Sequence, residues 1–181
     1  MRNKDVLIQL SDIRTKENDM YMHAMNVCMM ATLIGINMNL NQLQLKELAV
    51  GALLHDIGKV LQEGAEETAE LRRHHTWRGF ELLKTKRDYS LLIAHCAFQH
   101  HEAVDGTGLP RGLHDEEIHL YAKIIAVANT YDNLLYKGLD GKKLQPHEAC
   151  ERMMALSGIK LSHEVLVEFM KIVSIYPTGT T

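Results

Sequence analysis

Proline and cysteine are both scarce in this sequence, three of each in 181 residues, and each shortage excludes something. Few prolines, with almost no apolar–polar alternation, leave little room for strands and favour helices. The cysteines, Cys28, Cys96 and Cys150, are odd in number and widely separated. They offer neither a disulfide framework nor the paired spacing of a zinc clamp, so free thiols in a reducing, cytoplasmic compartment are expected. No apolar run approaches the roughly 18 residues of a membrane span. The opening "MRNKDVLIQL" has too short an apolar stretch for a secretory leader. A cationic excess is also missing: 20 Lys and Arg face 23 Asp and Glu, for a formal net charge of −3. That argues against a binder of polymeric nucleic acid, while leaving a small phosphorylated substrate open.

What is present is ordinary globular composition, 46% hydrophobic and 24% charged, in a chain sized for one domain with a real core. Helical spacing dominates. "ENDMYMHAMNVCMMATLIGI" predicts a long helix, with Met20, Met22, Met25, Met29 and Met30 filling core gaps or a helix interface. In "NQLQLKELAVGALLHD", Asn41 is the expected N-cap and Gln44 its reciprocal partner. Leu45, Leu48, Ala49, Ala52 and Leu53 then keep helical spacing. A third helix is expected to begin near His75, and a fourth, "YSLLIAHCAFQHH", to stop at the histidine pair. "EAVDGTGLPRGLHDEE", rich in glycine, is a loop. A long helix follows near residues 117 to 136. Two shorter ones occupy 146–174, the first opened by Pro146 and the second capped by Ser162. The expected fold class is all-α: one helical bundle over 1–181, without repeats or linkers.

The marked excess is histidine, with eleven. His23 lies inside the first predicted helix. His55 and Asp56 close the second, His75 opens the third, and His100 and His101 close the fourth. Asn129 sits on the apolar face of the long helix. A histidine beside a carboxylate at a buried helix end costs free energy unless something compensates it. Imidazole and carboxylate without thiolate suit first-row transition metals such as iron, manganese, zinc or nickel. Asp56, with two oxygens, is able to bridge two ions. Plainer readings stand beside these. His23 is read either as a ligand or as a hydrogen-bonded core histidine, Lys59 as a phosphate partner or a surface lysine, and Asn129 as a ligand or a satisfied buried amide. Asp105 alternatively only initiates the turn that Gly106 and Gly108 complete.

The ordered pieces are His23, "HDIGK" at 55–59, His75 with Gly79, "HHEAVDGTGLP" at 100–110 and "IIAVANTYDNLL" at 124–135. Together they resemble the HD-GYP subgroup of the HD phosphohydrolase superfamily, over about residues 19–156. The resemblance implies an HD-domain bundle with a metal site in its core. It also implies a phosphodiesterase that hydrolyses cyclic di-GMP to pGpG or GMP through a binuclear centre and a metal-generated hydroxide. Carried over by position, His23, His55 and Asp56 would hold one ion. Asp56 would bridge to a second held by His75, His100 and His101. Iron or manganese is expected first, with zinc or nickel as alternatives. Asp19 stands where some members bind a third ion. Lys59, with Asp56, would serve catalysis, and Lys59 would also meet a substrate phosphate. Asp105, Gly106 and Gly108 would border the substrate, with Lys137 nearby as a substitute for the family's basic residues.

Three departures accompany the resemblance. Leu109 stands where the family has tyrosine. Asn129 stands where it has its last aspartate ligand. Gly138 and Gly141 stand where an arginine and a second basic residue are expected, with Lys137, Lys142 and Lys143 nearby. Asp132 keeps the family's second aspartate, with a structural role expected. The alternative to an active cyclic dinucleotide hydrolase is therefore a catalytically weak or inactive module that binds a ligand or a signalling partner, or pairs with itself. A different HD phosphohydrolase is a third reading, disfavoured by the "DGTGLP" loop. Members of the family are usually joined to sensory or receiver domains, none of which is seen in this sequence.

Overall fold

Seven α-helices carry the described residues, which in this computed structural model are 18–61 and 69–175. The opening segment read for a leader and the flanks of the 1–181 domain lie outside them. In chain order the helices are α1 Asp19–Asn37, α2 Gln42–Leu54, α3 Ala69–Lys84, α4 Leu91–Gln99, α5 Leu120–Tyr136, α6 Pro146–Ala155 and α7 His163–Ile175. Short 3-10 turns at Ile57–Leu61 and Asp115–Glu117 interrupt them. The described residues form no strand, only isolated bridges such as Asp105–His114. None of their helices is long and apolar enough to cross a membrane.

Local chemistry accounts for the helix starts. Asn41 accepts from the Gln44 N–H while the Gln44 side chain accepts from the Asn41 N–H, both at 2.9 Å, so two orphan donors of α2 are satisfied. Pro146 opens α6. Ser162 precedes α7, its carbonyl accepting from Leu166 at 3.0 Å. His119 caps α5 by accepting from the Tyr121 N–H at 3.1 Å.

One boundary differs from expectation. α3 begins at Ala69, six residues before His75. Its first turns, "AELRRHH", are too polar to show an apolar period, and the packing of its second half against α4 through Phe80 and Leu83 carries the helix. His75 therefore lies within a helix, only 1% exposed. The methionine expectation also needs correction: Met30 packs against the core, but Met20 and Met25 are exposed.

α5 is the axis of the bundle. α1 packs on it, α2 lies against α1 and α4, and α7 closes over α1 and α5. Ile124, Ile125 and Val127 of α5 meet Val27 and Ile34 of α1, Leu48 of α2 and Phe169 of α7 in one core. Each such side chain contributes roughly 1.5–3 kcal/mol by leaving water. That packing sets the rotation of α5 and carries the polar Asn129 and Asp132, also buried, into the interior. All three cysteines are free thiols. Burial, helped by the Glu47 charge, pushes Cys96 up to about 12, so it is an inert packing residue.

Candidate metal centre

Four helices deliver polar side chains to one interior point. His23 comes from the second turn of α1, and His55 from the C-cap of α2. His75 comes from within α3, and His100 from the C-cap of α4. Asp56 follows His55 where α2 gives way to the 3-10 turn. His23, His55, Asp56, His75 and His100 are all buried. Two groups result. His23, His55 and Asp56 form one, and Asp56, His75, His100 and His101 the other, with the ligand-capable atoms of each group within 4.8 Å of one another.

Asp56 joins the groups through different oxygens. Its Oδ2 faces His55 Nε2 at 3.4 Å and His23 Nε2 at 3.7 Å. Its Oδ1 faces His75 Nε2 at 3.2 Å and His100 Nε2 at 3.3 Å. The histidines are held with those Nε2 atoms inward. His55 Nδ1 is 2.6 Å from the Ala52 carbonyl, and His100 Nδ1 is 2.9 Å from that of Ala97. His23 Nδ1 is 2.5 Å from Asp132 Oδ2. A ring that donates from Nδ1 keeps, when neutral, a lone pair on Nε2. Lone pairs therefore converge on a carboxylate, and His75 Nε2 comes within 3.4 Å of His100 Nε2.

The donor set fits a pair of cations. His55 Nε2, His101 Nε2 and Asp56 Oδ1 are buried without a directed hydrogen bond, a costly arrangement that a shared positive charge relieves. The electrostatics agree. Burial, reinforced by neighbouring His55 and His75, lowers His100 to about 4 against the pull of Asp56. Burial and the adjacent His100 likewise hold His101 well below the ordinary histidine value. Both are kept neutral, the form in which an imidazole can hold a metal. Burial acts to raise Asp56, but the neighbouring His55, with His100 and His75, outweighs it and holds the carboxyl well below its usual range. His55 is raised: burial opposes the charge, and the Asp56 carboxylate overcomes it.

The remaining expected residues divide. Lys59 Nζ sits 3.0 Å from Asp56 Oδ2, at the edge of the centre. Asn129 is buried, and its Oδ1 accepts from Asn133 Nδ2 at 3.2 Å. Asp19 opens α1 and belongs to neither group. Asp105 Oδ1 accepts from the Thr107 N–H at 3.0 Å and hydroxyl at 2.6 Å, which is the turn-building alternative. Gly106 has φ +80°, and a Cβ at Gly108 would stand 2.1 Å from the Ala103 nitrogen. Both glycines thus shape the loop. Lys137, at the exposed end of α5, is absent from the cavity wall beside His100 and His101, as are Lys142 and Lys143.

Two residues gain partners the sequence reading did not name. Asp132 orients His23 and takes a 2.9 Å hydrogen bond from Asn26 on its other oxygen. Glu102, buried next to His101, accepts from the Arg111 N–H at 2.9 Å and the Leu113 N–H at 3.0 Å. It clamps the far end of the glycine loop; its place inside "HHE" was the available signal.

Comparison with known proteins gives the family and the fold. A family described as HD domain matches residues 7–164. A cyclic di-GMP phosphodiesterase of Pseudomonas aeruginosa is 32% identical over 99% of this chain and 45% of its own length. One from Thermotoga maritima is 32% identical over 93% of the chain and 48% of its own. The chain thus spans about half the length of these curated relatives. In fold it is similar to an HDG"Y"P protein from Bdellovibrio bacteriovorus, with a TM-score of 0.76 at 19% identity over 95% of this chain and 58% of that one. A family match across most of the sequence, a helical fold shared with that structure and an HD pair at the junction of two histidine groups make this chain a member of the HD domain family.

Proposed function

We propose that the chain is a metal-dependent phosphodiesterase acting on a cyclic dinucleotide, cyclic di-GMP being the first candidate. The observation that carries this reading is the double engagement of Asp56, one oxygen toward each histidine group, with buried unpartnered Nε2 atoms beside it. His23, His55 and Asp56 would hold one ion, with Asn129 offering a neutral amide oxygen whose second lone pair is still available. Asp56, His75, His100 and His101 would hold the other. Two ions in such a site supply Lewis acidity toward a phosphodiester and make bound water acidic. The protein's part is to hold the Nε2 lone pairs inward through Nδ1 hydrogen bonds, to exclude bulk water by burial, and to keep Lys59 at the edge of the site. There its compact charge would meet the non-bridging oxygens of the substrate. The relatives named as cyclic di-GMP phosphodiesterases support the substrate class.

Asn129 supports a second reading, a module that binds a ligand with little turnover. It contributes no charge, and its oxygen is already shared with Asn133. Reconstitution with iron or manganese in reducing buffer, followed by product analysis with cyclic di-GMP, tests both. Turnover supports the enzyme, and full metal occupancy without turnover supports the module. Asn129→Asp is expected to raise turnover about tenfold or more by adding a ligand charge; no gain would count against Asn129 as a ligand.

The link from Asp132 to His23 yields a separate expectation. Asp132→Asn keeps the shape but weakens the hold on the ring, and partners of this type are worth about 10–100-fold in metal affinity. A competition titration with a chelating dye should show that loss for one ion while the other is held as before.

A further inference from the structure

A cavity of about 320 Å³ opens above His100 and His101, and Asn129, Thr130 and Thr107 contribute to its walls. A cyclic dinucleotide carries two phosphodiesters. If one lies at the histidine centre, the other needs its own cation, because burying an unpaired phosphate charge is costly. Positions 138 and 141, where the resemblance expected basic side chains, are glycines. Lys160 is the one lysine or arginine among the residues lining the cavity.

We propose that Lys160 is the substrate-positioning cation of this site and binds the phosphodiester that is not being cleaved. This rests on the cyclic dinucleotide reading above. The lysine lies in the turn between α6 and α7, some 50 residues beyond the glycine loop in sequence, yet its backbone is stitched to that loop. The Lys160 carbonyl accepts from the Val104 N–H at 3.3 Å, and the Ile159 carbonyl accepts from the Asp105 N–H at 3.0 Å. Its own N–H donates to the Leu156 carbonyl at 2.9 Å, so the Cα is held at the mouth of the cavity. The ammonium rests on the Thr107 hydroxyl, with Asp105 Oδ1 4.0 Å away. The side chain is 45% exposed, and an ion pair this long and this wet is worth little. Turning the ammonium from Asp105 to a phosphate therefore costs little, and the four-carbon stem supplies the reach. Thr107, whose hydroxyl proton is given to Asp105 Oδ1, keeps the loop in place beside it.

The test is equilibrium binding of a phosphorothioate analogue of cyclic di-GMP, which resists hydrolysis, to the metal-loaded chain. Wild type, Lys160→Met and Lys160→Arg are compared after each is shown to retain its metal content and melting temperature. Loss of a charge-assisted contact predicts binding weakened roughly ten- to hundredfold in Lys160→Met. Substantial recovery is expected in Lys160→Arg, and a difference that narrows at high salt. Equal binding by wild type and Lys160→Met overturns the role of Lys160 while leaving the functional reading intact. No binding by wild type overturns the functional reading itself, and the role of Lys160 with it.

Discussion

Asp56→Asn should remove most of the proposed activity and leave the site unable to hold two ions as a pair. The substitution keeps the side-chain shape but removes the charge that both histidine groups share. It also puts an NH2 where one oxygen now faces either His55 and His23 or His75 and His100. The amide has only one acceptor oxygen, so it cannot serve both sides. Several kcal/mol of transition-state stabilisation rest on such a centre, and the expected fall in turnover is about three orders of magnitude. Elemental analysis should find the content reduced from about two ions per chain to one or fewer. Loss of the charge also loses the net attraction that holds the carboxyl below its usual range, so the metal-free variant is expected to melt a few degrees below metal-free wild type. Retained activity with full metal content would refute the bridging role.

Gly58→Ala should damage the same centre from outside it, and it should be the more destabilising change. A Cβ at Gly58 would lie 2.0 Å from the His75 carbonyl oxygen and 2.9 Å from the Gly79 nitrogen. Both are backbone atoms of α3 and cannot rotate away. Either the 3-10 turn at 57–61 or α3 must move, and overpacking of this kind typically costs about 1–3 kcal/mol. For a chain of this size that is a fall in melting temperature of roughly 2–12 °C. The displacement also separates Asp56, two residues before the glycine, from His75 and His100. Weakened ion uptake on the His75 side is therefore expected together with the lower melting temperature, read by calorimetry and metal titration on one preparation. A variant with wild-type stability would show that this backbone contact is looser than the geometry indicates.

The residues that proved legible are those with short-range chemistry. Asn41 and Gln44 announced a reciprocal cap three residues apart, and that is how α2 begins. The "HD" and "HHE" pairs stood at predicted helix ends and lie there in the structure, next to one another. The start of α3 was missed because its first turns are polar all round, and such a helix shows no period. Only the resemblance, not the local pattern, marked His75 as inward-facing, since a histidine in an exposed first turn and one facing the core look alike in sequence. Glu102 and Asp132 were visible but had no assigned partners. Their roles depend on backbone N–H groups nine and eleven residues ahead and on a ring 109 residues back. Lys160 had no local signal.

By itself the sequence determined that the chain is helical, that it folds without disulfides, and that it carries imidazole and carboxylate side chains in a recognisable order. These follow from periodicity, capping and composition, which act over a few residues. Only the tertiary structure decided that Asp56 divides its oxygens between two histidine groups, that Nδ1 hydrogen bonds turn the rings inward, and that Lys160 stands at the cavity mouth. Distances between helices depend on how their side chains pack around α5, and that packing is a property of the whole core rather than of any stretch of the chain.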